Sequence, residues 1–352
     1  MPDRLFPELN MPDFPRNAGL VDAVRRDLTK RLLGLGAGAA LAATFGPAAF
    51  AAPSRGPQVP DVAPTKLSEH LYIIYARGGF PSRENQGFFA NIALVLTKKG
   101  VVVFDSGTSV QIGEMAIRQI KRLTDKPVIA VINSHFHGDH WLGNQAFREA
   151  WPDVPLYAHP DCVTAIRKAV GEQWLHQMMG ATEGAIEGTR VVGPDTPING
   201  GHVFDMGDVT LKVHHYGQAH TPVDLMLEIV QDKIVLVGDA AMDHRIANME
   251  DGSFNGTFKV YDELEAHIPG ALWVPGHGHP DRDMLKKNRE LLMGIYDNAA
   301  KAVEAGGSIE DARAAVLKDP RVTKYARDTV GFDESIGKFI SIAYLEAEQK
   351  AF

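Results

Sequence analysis

Three histidines and an aspartate crowd into the run His135-Phe136-His137-Gly138-Asp139-His140. Imidazole nitrogen and carboxylate oxygen are ligands for zinc, and also for iron and manganese. His135 and His137 stand two apart, so an extended backbone projects both to the same side. Gly138 supplies freedom at a bend, and Asp139 and His140 follow around it. The spacing therefore aims two pairs of ligands at two neighbouring points in space. No Gly-x-Ser-x-Gly elbow and no Cys/His nucleophile arrangement occurs in the chain. A water activated by metal is then the nucleophile these residues favour.

Such a turn needs rigid elements behind it. Residues 128–132, Val-Ile-Ala-Val-Ile, are apolar and β-branched and read as a buried strand running into the motif. Residues 141–150 read as a helix leaving it. The C-terminal end of a strand is where open α/β sheets place their chemistry. Further candidate ligands also fall at strand ends. His220 lies in Gly217-Gln218-Ala219-His220-Thr221-Pro222, after a strand expected over 208–215. Asp239 ends a strand in Val237-Gly238-Asp239-Ala240, and His277 follows one in Val274-Pro275-Gly276-His277-Gly278-His279. His279 shares the turn of His277 and is its rival, while His214 and His215 read as surface or outer residues. Asp105 ends another strand in Phe104-Asp105-Ser106-Gly107 and reads equally as a turn or cap residue.

The remaining pattern is α/β. Strands are expected at 71–75, 91–96, 101–104, 156–158, 225–230, 233–237 and 271–274, the second and third forming a hairpin around Lys98-Lys99-Gly100. Helical periodicity marks 111–123, 161–170, 173–179, 261–267 and most of the chain from Met284 onward. The helical tail from Met284 reads as packing or dimerisation surface, and in its last helix Ile336, Phe339, Ile340, Ala343 and Tyr344 form a stripe that reads as core, with a wall of the substrate pocket capping the metal cleft as the alternative.

His135-x-His137-x-Asp139-His140 resembles the metal-binding signature of the metallo-β-lactamase fold superfamily, and His220, Asp239 and His277 match its later motifs in order. The resemblance implies an αββα four-layer sandwich with extra C-terminal helices. It implies two divalent ions, zinc first with iron or manganese as alternatives. His135, His137 and His220 would hold one, Asp139, His140 and His277 the other, and Asp239 would bridge them. Asp139 would orient the nucleophile or carry its proton, and Asp105 would sit behind the ligands. The expected activity is hydrolysis of an ester, thioester, lactone or amide in a small molecule. True lactamases of this fold usually lack an aspartate at the position of Asp239, which disfavours a β-lactamase. The rival from another class is an iron persulfide dioxygenase-like enzyme using His135, His220 and Asp239. The chain looks most similar to exported metallohydrolases associated with quinoproteins or sulfur oxidation.

Composition bounds these readings. The 352 residues suffice for one large domain or two ordinary ones. A formal net charge of -8, with no long basic run, argues against a general nucleic-acid binder. Cys162 is the only cysteine, so no internal disulfide forms, and it reads as a core residue. Arg25-Arg26-Asp27-Leu28-Thr29-Lys30 precedes a mild Ala/Gly-rich apolar run and an Ala-x-Ala site ending at Ala51. This pattern reads as a secretory signal over residues 1–51, similar to a twin-arginine leader. Cleavage there would leave no membrane anchor in a periplasmic enzyme. Residues 52–66, rich in proline, read as a linker, and the folded domain is expected from 67 to 352.

Overall fold

The computed structural model describes residues 54–351 apart from Ala247. The expected export segment, residues 1–51, lies outside the described residues.

Two sheets stack face to face. The first has seven strands in sequence order. They are Thr65–Lys66 (β1), Leu71–Ile74 (β2), Ile92–Leu96 (β3), Val101–Phe104 (β4), Val128–Ile132 (β5), Leu156–Ala158 (β6) and Thr196–Pro197 (β7). Pairing is antiparallel from β1 to β4 and parallel from β4 to β7. The parallel part needs crossovers, which are supplied by helix α1 (Val110–Leu123) and by the short helices α2 (Gly138–Trp141) and α3 (Asn144–Ala150). The second sheet has five strands: Val203–Asp205 (β8), Thr210–His214 (β9), Met226–Ile229 (β10), Ile234–Gly238 (β11) and Leu272–Pro275 (β12). Only β11 and β12 run parallel, bridged by helix α6 (Phe254–His267); helices α4 (Pro160–Ala165) and α5 (Gly171–Ala181) lie between β6 and β7.

Strand β4 shows how the layers arise. All four of its residues are buried, because both faces are covered. Val101 and Val103 pack under Ile112, Met115 and Ile120 of α1, while Val102 and Phe104 meet Leu211, Leu227 and Leu236 of the second sheet. On its far side that sheet presents Val235, Val237 and Trp273 to Val260 and Leu264 of α6. The order helix, sheet, sheet, helix is the αββα sandwich expected. Behind it, α7 (Met284–Glu304), α8 (Ile309–Val316), α9 (Pro320–Ala326) and α10 (Phe332–Ala351) share a core of their own. Among the described residues no helix is long and apolar enough to cross a membrane.

Three expectations are corrected. The described part of the expected linker, residues 54–66, is bound to the sandwich: Val59 is buried, Arg118 donates to Asp61, and Thr65–Lys66 adds a strand. Its prolines keep it extended without freeing it. Helix α6 starts at Phe254 rather than 261, because Ser253 caps it and Glu346 of the distant α10 accepts from the backbone N–H groups of Phe254 and Asn255. The short strand β8 was not expected; Val203 and Asp205 are exposed on this edge, so no buried pattern marks it.

Candidate metal centre

Strand β5 delivers the histidine run. Its last residue is followed by Asn133, whose side chain donates to the carbonyl of His140 at 3.0 Å and exchanges amide hydrogen bonds with Asn144. Trp141 closes the same turn by donating to the carbonyl of Phe136 at 2.9 Å. His135, His137, Asp139 and His140 are all buried as a result.

The later residues arrive from the second sheet. His220 sits in the loop between β9 and β10, where Asp224 accepts from the Thr221 backbone N–H and hydroxyl. Asp239 follows Gly238 at the end of β11. His277 follows β12, in a turn held by Asn91 of the first sheet. The Asn91 side chain donates to the carbonyls of Pro275 and Gly278 at 3.1 and 2.8 Å. Gly276 must stay a glycine at this crossing, since a Cβ would lie 2.3 Å from Asp239 Oδ1 and 2.9 Å from His140 Cε1.

The chain thereby assembles two neighbouring groups of donor atoms. His135, His137 and His220 form one, and Asp139, His140, Asp239 and His277 the other, with the atoms of each group within 4.8 Å of one another. Asp239 Oδ2 faces both groups, at 3.3 Å from His140 Nε2, 3.3 Å from His277 Nε2 and 3.7 Å from His220 Nε2. Asp139 Oδ2 is 3.1 Å from His277 Nε2 and 3.2 Å from His140 Nε2.

Whether these residues suit metal can be tested on their unused atoms. His135 Nε2, His140 Nε2 and Asp239 Oδ1 are buried with no hydrogen-bond partner among the described residues. Such orphans are costly and rare. Their opposite ends are occupied in the way metal ligands require. His140 Nδ1 donates to Asp105 Oδ2 at 2.8 Å. Ser134 Oγ lies 2.9 Å from both Asp105 Oδ2 and His135 Nδ1, linking His135 to the same carboxylate. His220 Nδ1 donates to the carbonyl of Asn248 at 2.7 Å, and His277 Nδ1 to that of Phe89 at 2.7 Å. Each acceptor takes the Nδ1 proton and leaves Nε2 facing inward as the atom that can serve as ligand. His137 is turned the other way: Nε2 meets Asp251 at 3.0 Å, and Nδ1 faces His220. The donor set fits divalent cations.

Electrostatics divide the imidazoles into two sets. Burial and the neighbouring imidazoles push His220 down to about 3 and His135 well below its ordinary range, so both stay neutral. Burial alone would raise the carboxyl groups of Asp139 and Asp239, but the imidazoles of His140 and His277 hold both well below the usual carboxylate range. Against their own burial, the same carboxylates raise His140 and His277 above the ordinary imidazole range, and a cation bound at their Nε2 atoms would take the place of that proton. Burial pushes Asp105 up, with His140 and Ser134 opposing.

Other sequence candidates fall elsewhere. His279 is outside both donor groups, its ring tilted at 49° to that of Tyr75 with ring centres 4.7 Å apart. His214 pairs with Glu228 at 2.7 Å, and His215 bonds the Asp224 carbonyl. Cys162 is buried, and burial pushes its thiol up. Phe339 belongs to the C-terminal core and also lines the cleft above the donor atoms, so it is core and wall together.

That cleft encloses about 220 Å³ between the donor atoms, Phe80, Trp174, Arg245 and α10. Arg245, Asn91, Ser134 and Asp251 went unnoticed in the sequence. Each is a common residue in a loop or at a strand edge, and no spacing marks it.

The profile of the metallo-beta-lactamase superfamily matches residues 85–292, which span both donor groups. The chain belongs to this superfamily. Among solved structures it is similar to a metallo-beta-lactamase from Pontibacter korlensis, at 21% identity and a TM-score of 0.52, covering 66% of this chain and 99% of that one. It is also similar to a stereoselective inverting sec-alkylsulfatase from Pseudomonas sp., at 16% identity and a TM-score of 0.60, covering 80% of this chain and 50% of that one. At these identities the likeness is one of fold. In sequence, 54 residues are 32% identical to a linear primary-alkylsulfatase from Pseudomonas sp., which is 15% of this chain and 10% of that protein.

Proposed function

We propose that the chain is a binuclear metal-dependent hydrolase. His135, His137 and His220 would hold one divalent cation; Asp139, His140 and His277 would hold the second, with Asp239 between them. The observation that carries this is the convergence of seven buried ligand-type side chains in two adjoining groups, with His135 Nε2, His140 Nε2 and Asp239 Oδ1 buried and unpartnered among the described residues. When bound, the cations supply Lewis acidity and bring a water to hydroxide near neutral pH.

The chain's own residues do the rest. Asp139 stays ionised and lines the cleft, so its carboxylate can accept a proton from the attacking water and hold that water in line. Phe80, Trp174 and Phe339 exclude bulk water from the cleft. Zinc is the proposed native metal. The proposed substrates are esters, thioesters, lactones or amides, and the local likeness to an alkylsulfatase adds alkyl sulfates. The twin-arginine-like leader supports export to the periplasm.

The test is turnover of a panel of thioester, lactone, β-lactam and alkyl sulfate by zinc-loaded and metal-free protein, with Asp139→Asn alongside. Metal-dependent turnover that falls by ~10²-fold or more in the variant is expected. Near-normal activity of Asp139→Asn would remove its proposed role.

A further inference from the structure

We propose that Glu346, near the end of helix α10, is a positioning residue for the metal site of His135, His137 and His220. It acts through residues 248–255, which lead from the loop after β11 into helix α6.

That segment supplies the outer partners of two of the three ligands. His220 Nδ1 donates to the carbonyl of Asn248 at 2.7 Å, and His137 Nε2 donates to Asp251 at 3.0 Å. The segment is also interlocked with the backbone that carries His220. The Ser253 N–H donates to the carbonyl of Ala219 at 2.9 Å. The Gln218 side chain donates to the carbonyls of Asp251 and Gly252 at 2.9 and 3.1 Å. The two stretches run so close that a Cβ on Gly252 would lie 2.4 Å from the Ala219 oxygen. The position of this segment therefore sets the aim of two imidazoles. The other site leans elsewhere: His140 on Asp105 and His277 on the Phe89 carbonyl, both in loops of the first sheet.

The C-terminal layer holds the segment in place. Met249 and Phe254 are buried in the core that α7–α10 share. Where α6 begins, the half-buried Glu346 carboxylate collects four donors. It accepts from the Ser253 hydroxyl at 2.9 Å, the Phe254 N–H at 2.8 Å, the Asn255 N–H at 3.0 Å and the Asn255 side chain at 2.8 Å. The first N–H groups of a helix have no partner within it, and the helix dipole favours an anion there. Hydrogen bonds to a charged acceptor are about twice as strong as neutral ones. Lys338 of α10 also reaches this loop, at 3.0 Å from Glu250, but that pair is solvent-exposed and weak. Glu346 is thus the main polar tie between α10 and the outer partners of His137 and His220. It reaches the metal site from beyond residues 85–292, the span matched by the superfamily profile.

The inference rests on the binuclear reading for the identity of the ligands, so the test isolates each site and reads affinity, not turnover. In full-length protein, His277→Ala leaves the His135 site complete and His135→Ala leaves the His277 site complete. Zinc affinity is measured in both by competition with a chromophoric chelator, with and without Glu346→Gln. Glutamine keeps the shape but turns an NH₂ toward the donors of α6. On the His277→Ala background it should weaken zinc ~10-fold, the low end for losing an outer partner, and on the His135→Ala background less than ~2-fold. Glu346→Asp, which keeps the charge one methylene short, should recover part of the loss. Equal weakening on both backgrounds would make Glu346 a general structural support and overturn the proposal. So would unchanged affinity on the His277→Ala background. Should Glu346→Gln fail to fold, Ser253→Ala removes one donor from the same carboxylate; the same selective loss is expected, and the same two results would overturn it. A failure of both single-site parents to bind zinc would overturn the metal reading itself, and this inference with it.

Discussion

Replacing Asp105 with asparagine changes one oxygen to an amide NH₂ and leaves the shape almost intact. The backbone there has φ of 59°, a left-handed conformation that asparagine tolerates. The native carboxylate accepts from the Ser134 backbone N–H at 2.8 Å, from the Ser134 hydroxyl at 2.9 Å and from His140 Nδ1 at 2.8 Å. Because it only accepts, the His140 proton stays on Nδ1 and Nε2 faces inward as the atom that can serve as ligand. In Asp105→Asn the remaining carbonyl is best placed on the Ser134 N–H, since the alternative sets two donors face to face. The NH₂ then meets His140 Nδ1 and the Ser134 hydroxyl. His140 must accept from it, and its proton moves to Nε2, where a cation should bind. The hydroxyl, no longer donating to a carboxylate, loses its hold on His135. Loss of such an outer partner lowers metal affinity by ~10- to 100-fold, or about 1.4–2.7 kcal/mol at 1.36 kcal/mol per tenfold. Chelator competition on folded protein measures this, with urea unfolding of the metal-free form as a control. Weakened binding, larger at the His140 site than at the His135 site, is the expected result. Native affinity at both sites would refute the tautomer argument.

Gly276→Ala should abolish binding at the Asp239 side of the centre, because the new Cβ would sit 2.3 Å from Asp239 Oδ1; metal analysis of the folded variant checks it. Phe339→Ala should cost about 3–5 kcal/mol of stability, read from urea unfolding, and should also raise KM because the same ring walls the cleft; unchanged KM in the surviving protein would make it core alone. Asp319 is drawn to about 2, below its ordinary 3.8, by hydrogen bonds from Arg321. The folded state therefore binds that proton less readily than the unfolded state. Its stabilisation is complete above about pH 4 and is lost as pH falls toward 2. Asp319→Asn should flatten this part of the acid-unfolding curve, and an unaltered curve would remove the pair from the account of acid stability.

The donor cluster was legible because its information is local. The motif from His135 to His140 is one turn, and the β-branched run before it declares a strand. His220, Asp239 and His277 could be read only by matching motif order, since nothing in their local sequence says that two sheets bring them together. What escaped notice is set by distant partners. Glu346 decides where α6 begins, and Asn91 holds a turn almost two hundred residues away. Val59 anchors a proline-rich stretch that composition alone marks as free. Arg245 is ordinary in sequence and notable only in where the fold puts it, in the cleft wall against Phe80 and Phe89. The choice of His277 over His279 follows from the turn at Gly276, which aims the first imidazole at Asp139 and leaves the second beside Tyr75.

The central claim is a centre of two cations, and elemental analysis of protein purified from its native compartment without added metal addresses it most directly. About two zinc ions per chain are expected, falling to about one in His135→Ala and in His277→Ala, with hydrolysis lost on chelation and restored by zinc. A single iron per chain that is unaffected by His277→Ala, together with oxygen uptake on a persulfide, would contradict it and assign His135, His220 and Asp239 to an oxygenase.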